Sequence, residues 1–174
     1  FQQRLQALRA AETVQYAEVA AAKEEMLALL WDEFRQGDWE SLSPRGLAFQ
    51  AFVKEHAATL APHALFEAIQ RHLVRTSPDT WGWPAWPEEL QNPQGPAAQA
   101  FAKDHAEAVA YHMWLQWTAH LQLRQAGERA RALMPLGLYC DLAVGASDGG
   151  SETWTLQQLY ARGMNVGAPP DPLN

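Results

Sequence analysis

The sequence predicts a mainly α fold with one short strand and an ordered aromatic loop. Three observations carry that reading. Apolar residues recur at helical spacing over most of the chain, residues 76–96 are rich in proline and tryptophan, and a single apolar run near 136–144 is bounded by proline and glycine.

The bulk properties set limits first. A chain of 174 residues suits one folded domain. Hydrophobic residues make up 48 %, enough to bury a core, and charged residues only 19 %, which argues against disorder. The formal net charge is −7 and no basic patch stands out. Nucleic acid and an anionic membrane surface are therefore excluded as expected partners. No apolar run is long enough to cross a bilayer. The one cysteine, Cys140, permits no internal disulfide, as expected in the reducing cytoplasm. No basic-plus-apolar leader opens the chain. It starts at Phe1 inside a helix-like pattern and stops just after the turn-rich Gly167-Ala168-Pro169-Pro170, so the ends read as cuts in a longer protein.

The elements follow in order. Residues 2–11 read as a short helix on Leu5 and Leu8. Tyr16, Val19, Ala20, Met26, Leu27, Leu30, Trp31 and Phe34 mark a second helix, with Gly37 as its expected stop. Ser43-Pro44 reads as an N-cap followed by proline at the first helical position. Ala61-Pro62 is expected to start another helix, with Leu65, Phe66, Ile69 and Leu73 inward, ending before Ser77-Pro78. The loop 76–96 carries Trp81, Trp83 and Trp86 among five prolines. Three indoles need something to pack on, so the loop is expected to be ordered. From Pro96 a long helix is expected to about Leu133, with a bend at Gly127 and a ladder Phe101, His105, Val109, Met113, Trp117, Leu121. Residues 136–144 then fit a buried strand with no visible partner, which must be completed by other sequence or by another copy of the chain. Gly145 to Gly150 reads as a loop and Ser151 to Gly163 as a short helix.

Several residues could carry chemistry. Asp141 sits inside the apolar run, as either a strand-end aspartate bonded to a loop or a site residue at the end of a barrel strand. Asp171 follows two stiff prolines, in either a rigid turn or a loop presented to a ligand. Asp141, Asp148, Glu152 and Asp171 are too weakly patterned to define a carboxylate pair. His105, His112 and His120 share a helix face roughly. Consecutive members lie about 10–12 Å apart along the axis, too far to hold one metal, and no metal site is expected. Flat indoles stack on sugar rings, so Trp81, Trp83, Trp86 or Trp154 could line a glucan path, whereas Trp31, Trp114 and Trp117 fall on core stripes. The glycine loop before Ser151 lacks a following Lys-Ser/Thr and is not a phosphate cradle.

Gly137-Leu138-Tyr139-Cys140-Asp141-Leu142-Ala143-Val144-Gly145, then Gly150-Ser151-Glu152-Thr153-Trp154, then Val166-Gly167-Ala168-Pro169-Pro170-Asp171, resembles a stretch of the amylomaltase family of 4-α-glucanotransferases. Upstream, Tyr111-His112-Met113-Trp114-Leu115-Gln116-Trp117 resembles the helix before that stretch. The segment Tyr16 to Trp31 and the Trp81-Gly82-Trp83 loop look like the family's helical insertion. The resemblance implies a (β/α)₈ barrel with helical insertions, of which this chain is an internal fragment. Residues 1–96 would be the insertion subdomain with its Trp/Pro-rich loop. Residues 97–174 would be a barrel helix, one strand and a loop bordering the active site. It implies transfer of α-1,4-glucan segments between maltodextrins by a retaining mechanism, with catalytic carboxylates that lie beyond Asn174, no cofactor and no metal. Asp141, Trp154 and Asp171 match family positions with supporting or substrate-binding roles. Cys140 stands where relatives often carry a basic or small residue. A swapped homodimer would complete the orphan strand. The competing reading is a non-catalytic helical interaction module.

Overall fold

A computed structural model describes residues 1–161, 163 and 164. They form two compact units, one covering Phe1–Lys54 and one beginning at Glu55. The expected boundary between residues 96 and 97 falls inside the second unit.

The first unit contains α1 (Gln2–Ala10), α2 (Tyr16–Phe34) and α3 (Pro44–Glu55). Arg4 ties α1 to α2 through Glu25 at 2.5 Å. Of the apolar stripe expected on α2, Trp31 and Phe34 are buried, while Tyr16, Met26 and Leu30 stay exposed. The helix does not stop at Gly37. It widens into a π turn over Arg35–Trp39, which brings the Trp39 ring to 5.5 Å from Trp31 and 5.8 Å from Phe49. Phe34 meets Phe49 edge-on at 5.5 Å. Four rings thus build the core of this unit, in the offset and edge-on arrangements that aromatic quadrupoles favour.

The Ser43-Pro44 start of α3 forms as expected. Ser43 Oγ accepts the backbone N–H of Arg45 and of Gly46, each at 3.2 Å, and donates to Asp38 Oδ1 at 2.6 Å. Arg45 reaches the other oxygen of Asp38 at 2.9 Å. The Ser43 hydrogen bond, with help from Arg45, holds the Asp38 carboxyl below the usual carboxylate range. Asp38 thereby locks the π turn to the helix that follows it.

The second unit is built around α4 (Ala57–Thr76), against which α5 (Pro96–Asp104), α6 (Ala106–Leu133) and α7 (Ser151–Thr155) all pack. The expected start of α4 at Ala61-Pro62 lies one turn too late. Pro62 is inside the helix, where its missing N–H forfeits one intrahelical bond. The single long helix expected from Pro96 is broken at His105, whose φ is −118° and ψ 34°. The break lets α5 reach the short 3₁₀ turn Glu88–Leu90 while α6 follows α4. The ladder itself holds. Val109 and Trp117 are buried, and Phe101 and Met113 pack on the core. The expected helix 151–163 is shorter, ending at Thr155 and followed by a 3₁₀ turn at Gln157–Leu159.

The strand expected at 136–144 is not formed, and the described residues contain no strand. Leu136 is 87 % exposed and Val144 92 %, with Tyr139 and Leu142 equally open. A buried strand must pair its N–H and C=O groups with a neighbour. No described segment offers one, so this backbone stays in water. The mainly α class stands and the strand is withdrawn.

Gly46 provides a test of the first unit. A Cβ there would lie 2.2 Å from the carbonyl oxygen of Asp38. Gly46→Ala is expected to destabilise the chain by about 2 kcal/mol or more, whereas Gly37→Ala, which meets nothing within 4 Å, is expected to be neutral. Thermal unfolding followed by tryptophan fluorescence separates the two.

Candidate functional site

Two distant loops are fastened together in the second unit, and the fastening starts from α4. Gln70 on its buried face accepts the Gly82 N–H at 2.7 Å and donates to the Thr80 carbonyl at 3.2 Å. This amide fixes the first turn of the tryptophan loop. Gly82 then adopts φ +82° and presses its backbone against Gly149, where an added Cβ would approach the Gly149 Cα to 3.2 Å. The reverse contact, from a Cβ at Gly149 to the Gly82 Cα, would be 3.1 Å. A side chain at either position would have to push the facing backbone back by a few tenths of an ångström, and the positive φ of Gly82 favours glycine again.

Trp83 closes the junction. Its backbone N–H points to the Gly149 carbonyl at 3.4 Å, and its indole N–H donates to Thr153 Oγ1 at 3.0 Å. The Thr153 hydroxyl lies within 2.9–3.0 Å of the carbonyls of Ser147, Asp148 and Gly150. One hydroxyl therefore gathers the 147–150 turn and receives the indole. Trp83 and Thr153 are both buried, so this polar cluster is worth more than its exposed equivalent would be.

Trp154 follows directly and is 0 % exposed. Its ring sits 5.6 Å from Trp86 and 5.8 Å from Phe66, and its N–H donates to the Leu90 carbonyl at 3.1 Å. Gln157 adds a bond to the Gln91 carbonyl at 2.6 Å. From α4, His63 Nδ1 meets Ser151 Oγ at 3.0 Å. α7 is short, yet it is held from three sides.

The expected site residues are thus distributed unevenly. Trp83, Trp86 and Trp154 come together, in the core. Trp81 stands apart, 77 % exposed. Asp141 is exposed in the open segment before the clamped turn. Asp148 is also exposed and lines a groove of about 860 Å³ between the turn and Gln157, Tyr160, Gly163 and Met164. Glu152 accepts the Tyr160 hydroxyl at 2.6 Å, which raises the Tyr160 pKa. Asp171 lies outside the described residues. Among the described residues no cluster of three or more His, Cys, Asp or Glu could hold a metal ion. Sequence reasoning singled out neither Gln70 nor the Gly82–Gly149 contact. The glycine-rich turn was visible, but its partner 67 positions earlier was not.

The family model described as 4-alpha-glucanotransferase, glycoside hydrolase family 77, matches residues 1–174. The chain is 32 % identical over 176 residues to the 4-alpha-glucanotransferase of Haemophilus influenzae, covering 99 % of this chain and 25 % of that protein. It is 38 % identical over 133 residues to the 4-alpha-glucanotransferases of Mycobacterium bovis and Mycobacterium tuberculosis, covering 75 % of this chain and 17 % of each. The chain therefore spans a quarter or less of the length of these relatives.

The clamp and the core beneath it fail differently. Thr153→Val leaves the buried Trp83 indole N–H without its acceptor and is expected to cost about 1–3 kcal/mol, with Thr153→Ser restoring most of it. Trp154→Ala removes a fully buried indole and is expected to cost about 3–5 kcal/mol. Chemical denaturation at constant pH measures both.

Proposed function

Because the chain belongs to the 4-alpha-glucanotransferase family, we propose that it is a non-catalytic portion of an enzyme that transfers α-1,4-glucan segments between maltodextrins by a retaining mechanism. The observation that carries this reading is the family match over all 174 residues. The catalytic carboxylates are then supplied by the larger part of the polypeptide, which this chain does not span. Residues 1–96 serve as the helical insertion. Residues 97–174 supply a barrel helix and a loop bordering the glucan.

Within that frame Asp141, Trp154 and Asp171 bind or support the substrate and do not transfer protons. The clamped turn supports a role for Asp141 near sugar. The residues after it are fixed to the core through Thr153 and Trp83, while Asp141 itself is left open. A loop held in this way can present a carboxylate to a sugar hydroxyl at low entropic cost. Trp154, being buried, acts by holding that loop. No cofactor is required by the chemistry. The described helices include none long and apolar enough to cross a membrane, the net charge of −7 disfavours nucleic acid, and a cytoplasmic location suits an enzyme of maltodextrins.

One observation favours a second reading. The open apolar run from Leu136 to Val144 is the kind of edge that another copy or a partner protein would cover. A swapped homodimer or an interaction module would use it.

A maltotriose disproportionation assay on this chain and on the longer product of its gene decides between them. The longer protein is expected to release glucose and form longer maltodextrins while this chain alone stays inert. In the longer protein Asp141→Ala is expected to lower kcat/KM by about 10²-fold. Turnover by this chain alone would place catalytic acids among its own residues, and an inert longer protein would favour the interaction module.

A further inference from the structure

All six histidines of the chain belong to one seam. His63 and His72 lie on α4 and His112 and His120 on α6, while His56 and His105 immediately precede those helices. They are matched across the two helices in antiparallel order. The rings of His56 and His120 are 5.9 Å apart, and those of His72 and His105 are 5.0 Å apart. Between these end pairs, His63 is close enough to His112 for its charge to oppose protonation there. Along α4 the outer members are separated by about 24 Å at the helical rise, so the pairs cover the length of the contact. None of these pairs was visible from the spacing on α6 alone.

The centre of the seam is built against positive charge. His112 is 9 % exposed and its Nε2 is buried without a hydrogen-bond partner among the described residues. Burial, the Arg71 guanidinium and His63 together lower its pKa to about 4. Arg71 lies over the Tyr111 ring at 5.2 Å. Glu67 is the acid of this cluster. Burial raises its carboxyl above the usual range while His63 pulls it back. α7 contributes the Ser151 hydroxyl to His63, and its Glu152 is engaged by Tyr160. At the His72–His105 end the neighbouring ring is Phe101, stacked on His105 at 4.2 Å. Asp104 ends α5, and Glu107 lies in the first turn of α6.

We propose that the α4–α6 seam is an acid-sensitive joint. Histidine rings meet across the helices at both ends of the seam, with His112 buried between them, and proton uptake sets like charges across the seam and loosens α6. The direction follows from linkage. Native His112 stays neutral below the ordinary histidine value of about 6.5, whereas in the unfolded chain it takes up a proton. Its contribution is complete above about pH 6.5 and is lost as pH falls toward 4. In each outer pair, a second charge 5–6 Å from the first would oppose the packing that the neutral rings permit.

Hydrogen exchange on this chain tests the joint. Between about pH 7.5 and 5.5, corrected for intrinsic rates, the protection of α6 amides is expected to fall about tenfold or more. Amides of α2, in a unit that has no histidine, serve as the reference and are expected to hold. The variant His56→Gln/His120→Gln and the variant His72→Gln/His105→Gln are each expected to flatten the loss. A loss of the same size in both variants, or none in the parent, overturns the proposal. If a variant does not fold, histidine ring proton shifts in the parent decide. At least one histidine is expected to remain neutral down to about pH 5, and six independent titrations near the ordinary value would overturn the joint.

Discussion

The indole N–H of Trp83 donating to the Thr153 hydroxyl joins parts of the chain that lie 70 residues apart. Much of the second unit follows from it. The bond can form only because Gly82 and Gly149 let two backbones touch, and because Gln70 holds the turn before Trp83. Once made, it sets the position of α7, and so buries Trp154 against Trp86 and Phe66. Removing the hydroxyl would strand the buried indole N–H and take away the one proton that the neighbouring carbonyls share. Buried polar clusters that are fully satisfied specify geometry in a way that apolar contact does not.

α4 is the frame on which this happens. One face presents Ala64, Leu65, Ala68 and Ile69 to the core. Gln70 reaches the tryptophan loop, and His63 reaches both α7 and the neighbourhood of His112. The same helix therefore serves the clamp and the histidine seam. The first unit solves its own problem separately, with four aromatic rings and an aspartate that bridges a π turn to a capped helix. As a portion of the proposed glucanotransferase, the chain would supply rigidity first. Its open features, Asp141 and the run from Leu136 to Val144, are those that the remaining polypeptide would engage.

Much of this was readable from residue order. Ser43-Pro44 announced a capped start because a hydroxyl before proline can satisfy the first free N–H groups. The ladder from Phe101 to Leu121 identified the inward face of the long helical region. The break at His105 was not readable, since no proline or glycine marks it. It depends on where the Glu88–Leu90 turn comes to rest. The strand at 136–144 was misread for a related reason. Its apolar pattern is genuine, but a pattern states only what a segment would bury, not that a partner is present. Trp154 and Trp81 are both candidates from the sequence to line a glucan path. One is fully buried and the other is open, a distinction that spacing in a proline-rich loop does not encode.

The sequence by itself determined the mainly α class, the capped start at Ser43-Pro44 and the family, because these rest on local chemistry and on residue order. Only the tertiary structure decided which indoles are core, that two glycines meet, that a glutamine and a threonine carry the junction, and that histidine rings meet across the helices at both ends of the seam. Each of those is a contact between residues distant along the chain. Such contacts are fixed by how the helices pack, and that packing balances every buried surface at once.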